Sequence, residues 1–488
     1  MLLPKVNGTV TLASLSTSRP SGTLPGETEV ENRYLRVFQE ETTSGFQSAW
    51  DWAVWNRLML QGCHHEGFIR DAVVAIGAIR KSMSTLYLPD GTTTTNAQEL
   101  ARLQREFAYH RYGKALKNIQ KVIHAGASRR LALIACLLIV CFENLVGHRY
   151  NSSCHAQYGL KIYSQAQEAA SSQSLIEEEI IEALRNLDIQ ITTINDARMT
   201  SIHTHMLEKD RPMVESMPRV FSSLDEAKRY WQVTMCRCVH YLAISWARTE
   251  PESLCREFKT HLTGGVTVTT GGNIFTTPFK VDDALRADQR IYFAEMCRWL
   301  EAFEPVLTKI RRDPSGTLRA YVAASTLQIQ GLTAKIILAG SVFTKEMSYD
   351  QFYPEFKSII RLASDVLKVR NASSKVHFFA GMFSFDIGLV PCLFTLLLRC
   401  RDTTLRLQAL EILKVWHMEG WWDPLLIVGV GKFIMEVEEA GTVNGVVPEE
   451  ARAILTAKYN RPPDRNMLLQ CVQRTKSGLK WTEKFVAW

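Results

Sequence analysis

From about Arg33 to the neighbourhood of His417, apolar side chains recur every three or four residues, and this period constrains the chain more than any other feature. Tyr34, Leu35 and Phe38 share one helix face, and Trp52, Trp55, Leu58 and Met59 repeat the spacing. Ile69, Val73, Ile76 and Ile79 carry it through FIRDAVVAIGAIRKSM. After the polar break PDGTTTT (89–95), a long helix is expected from near Gln98, with Leu116, Ile119 and Ile123 as its stripe. The run LALIACLLIVCF (131–142), closed by Glu143, is shorter than the roughly 20 residues a bilayer crossing needs, so it reads as a buried core helix. A helix through YGLKIYSQAQEAA comes next. Ser174 then precedes LIEEEIIEALRNLDIQITTI, whose early acids and later Leu and Ile suit a capped amphipathic helix. Further helices are expected at about 221–247, 284–311, 317–341, 349–369, 391–399 and 404–417.

Only GGVTVTTGGNIF (264–275) has strand character, as a hairpin or long loop between glycine pairs. One such stretch does not make a sheet. The expected fold class is all-α, a large multi-helix body of packed antiparallel helix pairs without a short repeat. The opening residues are rich in Ser, Thr, Gly and Pro and have neither period. They divide the chain into a flexible N-terminal segment, 1–32, and one helical domain, 33–488.

A hydrophobic fraction of 46% with 22% charged residues excludes wholesale disorder. The net charge of +7 is mild for 488 residues, and its basic pairs are scattered: Arg129 with Arg130, Arg311 with Arg312, Arg399 with Arg401. That spread suits weak, non-specific attraction to nucleic acid and not base reading. The N-terminus lacks a signal-peptide core, so a soluble intracellular chain with no membrane association is expected. Eleven cysteines, an odd number, point to free buried thiols in a reducing compartment.

The sequence contains no Walker loop, no GxGxxG after a strand, no HExxH and no GxSxG. Gly264-Gly265 and Gly271-Gly272 read as flexible turns. Cys236 and His240 fall on one helix face, where a ligand pair is geometrically possible. No second pair completes a tetrahedron, however, and with Cys238 nearby in apolar surroundings the buried-thiol reading outweighs it. His148 with Cys154 and His155, His203 with His205, and Cys63-His64-His65 are similarly incomplete sets. An all-α isoprenoid synthase would need two facing acidic clusters to hold magnesium. Asp282-Asp283 suits a helix cap, Asn195-Asp196 lacks its downstream ligands, and Glu177, Glu178 and Glu179 point apart on a helix. Trp416, Trp421 and Trp422 suit core packing better than a pocket lining. No catalytic, cofactor-binding or metal-binding residue is therefore assigned, no cofactor is expected, and the chain is expected not to be an enzyme.

Several segments do resemble one family. RYLRVFQEETTSGF and WAVWNRLMLQ (33–61) look like the opening of the regulatory region of fungal binuclear zinc-cluster transcription factors. FIRDAVVAIGAI (68–79) resembles that family's Ile-Arg-His-Ala and Ala-Leu-Gly-Ala-Leu-His helix, with Asp71 and Arg80 in place of its two histidines. LIACLLIVCFENLVGHRYNSSCHAQYGLKI (133–162) is similar to its apolar helix, turn and following helix. LRNLDIQ (184–190), FSSLDEAKRY (221–230) and FSFDIGLVPCLFTLLLRCRDTTLRLQALEILKVWHMEGWWD (383–423) follow in the family's order. The family's six-cysteine zinc cluster, which sets a short helix in the DNA major groove, has no counterpart in these residues, whose first cysteine is Cys63.

The resemblance thus implies a nuclear transcription regulator without its own DNA-reading zinc cluster. It would act through a protein partner, either a DNA-binding paralogue or the transcription machinery, and the family's effector-sensing region implies a small-molecule effector. The family's habit points to control of a metabolic or secondary-metabolite gene cluster, with no sequence-specific DNA binding by this chain alone. An all-α enzyme of terpene-cyclase type and a cytosolic helical scaffold are the alternatives.

Overall fold

The structure is a computed structural model that describes residues 26–43, 54–86, 94–126, 128–168, 176–194, 196, 198–249, 278, 280–312, 317–373, 384–416, 419–461 and 466–487. Helix α1 (Glu29–Thr43) begins ahead of the boundary expected at 32, because a capping sequence starts it. Thr28 Oγ1 accepts from the Glu31 amide at 3.2 Å, and Glu31 reaches back to the Glu27 amide at 2.7 Å. The other Glu31 oxygen takes Arg111 at 2.6 Å, and Arg111 also pairs with Asp71. This buried knot ties α1 to α3 (Gly67–Leu86) and α4 (Thr95–His124). Asp71 thus has a buried structural partner in Arg111.

A π-helical turn (Val54–Met59) and α2 (Leu60–His65) precede α3, and α5 (Arg129–Leu145), α6 (Arg149–Glu168) and α7 (Glu178–Ile194) follow α4. Thr94 and Ser128 cap α4 and α5 by accepting from the Ala97 and Leu131 amides. Gly126 and Gly147, both at positive φ, stop the same two helices. The 131–142 run lies in α5 and is largely buried, as expected of a core helix. Helices α1 to α7 enclose one hydrophobic core, with Leu184, Leu187 and Ile191 as the contribution of α7.

A second core begins on the same helix with Ile189. It gathers α8 (Thr200–Lys209), α9 (Arg211–Glu215), α10 (Leu224–Thr249), α11 (Asp283–Arg312), α12 (Leu318–Gly340) and α13 (Tyr353–Ser373). The helices α14 (Val390–Arg399), α15 (Thr403–Lys414) and α16 (Pro424–Glu439) complete it. Asp282 caps α11 by accepting from Leu285 at 2.6 Å, the role expected of the Asp282-Asp283 pair. Helix α12 is long and apolar enough to cross a membrane, but 83% of its most apolar window is buried against neighbouring helices. It is apolar all round because it is surrounded by protein.

With sixteen α-helices and one small sheet among the described residues, the chain is all-α. The helical reading needs one correction at the C-terminal end. Residues there form an antiparallel meander of β1 (Ala453–Arg461), β2 (Asn466–Thr475) and β3 (Gly478–Ala487), in that order. The central strand β2 buries Met467, Leu469, Cys471 and also Val472, so its sequence does not alternate cleanly between polar and apolar. Helix α16, which the sequence reading also left unplaced, covers this sheet. The expected hairpin at 264–275 lies outside the described residues.

The two cores are keyed together by polar side chains aimed at backbone. Gln190 of α7 donates to the Phe385 carbonyl at 2.7 Å, and Asn144 of α5 donates to the Gly420 carbonyl at 2.8 Å. Glu419 accepts from the Leu389 and Val390 amides at 2.6 and 2.8 Å and from Trp416 Nε1 at 2.7 Å, satisfying the buried start of α14. Trp416, Trp421 and Trp422 are buried in these cores and do not line the cavity described next, in agreement with a packing role.

Candidate functional site

Helices α6, α7, α8 and α10 frame a cavity of about 700 Å³. Leu160, Tyr163, Ile202 and Met206 supply its apolar wall. Its charged lining is unequal: Lys161, Arg185, Arg198 and Lys209 face only Asp188 and Asp210. Asp188 and Arg198 pair at the floor, so the remaining charge facing the opening is mostly basic. Lys209 also stands over the Tyr163 ring, 5.3 Å from its centroid.

The floor is built by the one buried acid of α7. Asp188 lies on α7 among Leu184, Leu187 and Ile191 and is 1% exposed. A lone carboxylate there is tolerable only with partners. Arg198 supplies the first, donating through Nη1 to Asp188 Oδ1 at 2.5 Å. The same guanidinium holds Asp196 through Nε and Nη2 at 2.9 and 2.7 Å and reaches Thr192 Oγ1 at 2.6 Å. On the other side, His240 Nε2 lies 3.1 Å from Asp188 Oδ2, and the Cys236 thiol donates to that oxygen at 3.6 Å. His240 and His203 meet through their Nδ1 atoms at 2.8 Å, and His203 Nε2 faces Asp196 Oδ2 at 3.7 Å.

The electrostatics follow from this packing. Burial would raise the Asp188 carboxyl, but Arg198 and then His240 outweigh it and hold the group well below the usual carboxylate range. Burial also opposes ionisation of Asp196, and again Arg198 prevails and lowers it. Burial pushes the His203 imidazole down to about 4, with Asp196 opposing and His240 reinforcing. Burial, reinforced by Asp188, pushes the Cys236 thiol well above its ordinary range. At neutral pH the floor therefore holds two carboxylates, one guanidinium, a neutral His203 and a protonated thiol.

Several residues considered from the sequence meet here. Cys236 and His240 share a face of α10, and Asp188 of α7 is the partner that sequence spacing could not supply. His203 joins them, while His205 lines the cavity instead. Cys238 is buried as a free thiol, and burial raises it too. The other sets stay apart. His148 bonds Glu143 at 2.8 Å, and Cys154 belongs to the cavity wall. Cys63 is buried with its thiol pushed up to about 12 by burial, while His64 and His65 are exposed. Glu177 and Glu178 pair with Arg130 and Arg185, and Glu179 with Arg57. The glycine pairs at 264–265 and 271–272 and Asn195 lie outside the described residues.

Asp188 and Arg198 are the site residues that the sequence reading missed. One signal was available for Asp188, a single acid in the Leu- and Ile-rich second half of its helix. Compared with family profiles, curated proteins and solved structures, the chain matches none of them.

Proposed function

We propose that this chain is a transcription regulator of the fungal zinc-cluster type. In this reading its helical body receives a small-molecule effector between α6, α7, α8 and α10. It acts in the nucleus through a protein partner, on a metabolic gene cluster, and does not read DNA by itself. The family resemblance in the sequence motivates the regulatory part of the reading. The observation that carries the effector part is the cavity of about 700 Å³, a size suited to a small organic ligand. Its apolar wall and basic rim would suit a ligand with an apolar body and an acidic or electron-rich end. Its floor groups are committed to one another, which favours binding over acid–base turnover.

Gene deletion with transcript profiling tests the reading. The expected result is a change in transcripts from a metabolic cluster, reversed by the native chain but not by a cavity-filled Ile202→Trp, Met206→Trp variant. An unchanged transcriptome across growth conditions would sink it. Turnover of a prenyl diphosphate with magnesium by the purified chain would support the enzyme alternative, and a fluorescent fusion confined to the cytosol would support a scaffold.

A further inference from the structure

The cavity floor carries a second implication, independent of any effector. We propose that Asp188, Cys236 and His240 form a binding site for a single zinc-class divalent ion, with its fourth coordination position opening on the cavity. The ligand-capable atoms of all three side chains lie within 4.8 Å of one another, and all three residues are buried. With zinc–ligand bonds of about 2.0–2.3 Å, two donors on one tetrahedral ion stand roughly 3.2–3.8 Å apart. Of the observed separations, 3.6 Å from Asp188 to Cys236 falls within that range and 3.1 Å from Asp188 to His240 lies just below it. The third edge, from Cys236 to His240, is no longer than 4.8 Å. Asp188 and Cys236 line the cavity, which places the site at its floor. Three protein ligands with one exchangeable position is the pattern of an open zinc centre.

The surroundings are arranged as supports for such ligands. Arg198 holds Asp188 Oδ1, which leaves Oδ2 directed at Cys236 and His240. His203 meets the ring nitrogen of His240 that would not bind metal. A metal on His240 Nε2 leaves its Nδ1–H to donate to His203, whose Nε2–H then faces Asp196, 3.7 Å away.

With both imidazoles neutral, binding is written M²⁺ plus the protonated thiol site giving the metal–thiolate site and one H⁺, the thiol proton being the one released. A thiolate and an imidazole select zinc or cobalt over magnesium and calcium.

The test uses the full chain, stripped with a chelator and titrated with Co²⁺, then with Zn²⁺ in competition. The expected result is one cobalt per chain, with a sulfur-to-cobalt charge-transfer band and the visible bands of four-coordinate cobalt, all displaced by zinc. Cys236→Ser should abolish the charge-transfer band, and Cys238→Ser should leave it intact. His203→Gln should keep the band and weaken affinity about 10–100-fold. Should Cys236→Ser not fold, X-ray absorption on the zinc-loaded native chain reads the same point, with one sulfur and the remaining donors nitrogen or oxygen expected. Absence of a cobalt spectrum, a band that survives Cys236→Ser, or a zinc shell without sulfur would each overturn the proposal. These readouts do not involve transcription, so failure of the metal site and failure of the regulatory reading are distinguishable.

Discussion

His240 of α10 holds Asp188 of α7 through Nε2 at 3.1 Å, joining two helices whose sequences are separated by a turn, α8 and α9. Asp188 is the common point of the site. Arg198 neutralises one of its oxygens, and Cys236 and His240 converge on the other. Removing a member of this group should therefore affect the fold as well as any ligand.

Arg198→Met should cost about 3–5 kcal/mol of stability, because it leaves Asp188 and Asp196 buried without their cation. Arg198→Lys should lose less, since the charge stays but the planar fork that serves Asp188, Asp196 and Thr192 at once does not. Urea denaturation at neutral pH measures both. A loss below about 1 kcal/mol for Arg198→Met would mean that the pair is hydrated and not structural.

Gly420 sits at φ +56°, and a Cβ there would come within 1.9 Å of Gln190 Oε1. Gly420→Ala should displace the Gln190 side chain that keys α7 to the 384–386 segment, at a cost of about 1–3 kcal/mol beyond backbone strain. Gly445→Ala is the control, with a similar positive φ but no atom within 4 Å of the added carbon. Equal thermal shifts for the two variants would show that the Gln190 contact contributes nothing.

Glu419 links stability to pH. Burial pushes its carboxyl up to about 7, although the Val390 amide, Trp416 and Arg370 pull the other way. The folded chain thus holds this proton more tightly than the unfolded chain, whose carboxyl has its ordinary value of about 4.5. Its contribution is fully present below pH 4.5 and is lost as pH rises to about 7. The native chain should lose about 1–3 kcal/mol relative to Glu419→Gln across that window. Parallel stability–pH curves for the two proteins would refute the assignment.

DNA binding should be weak and non-specific. Of the basic pairs visible in the sequence, Arg399 and Arg401 are not available to phosphate: both are buried on Glu346, at 2.5 and 3.0 Å, and Arg401 also holds Glu438. Arg130 is paired with Glu177. Anisotropy titrations with matched and scrambled promoter fragments should give affinities weaker than about 10⁻⁶ M that fade between about 50 and 200 mM salt. Nanomolar, sequence-selective binding would contradict the reading.

The sequence alone determined most of the helical architecture, because a three-to-four residue apolar period is a local property that any core-facing helix must show. The runs through Val73, Leu137, Trp299 and Leu396 all became buried helices as their periods required. It did not reveal α1's earlier start, where capping by Thr28 and Glu31 and not hydrophobicity sets the end, or β2, which is buried too evenly to alternate. Half of the site was legible in the same local way, since Cys236 and His240 are one turn apart on α10. The other half belonged to tertiary structure alone. Asp188, Arg198 and His203 come from other segments, and only the packing of α7 and α8 against α10 places them within bonding distance of that pair. Spacing along a chain records neighbours on one helix; contacts between helices depend on crossing geometry and on which buried charges can find partners.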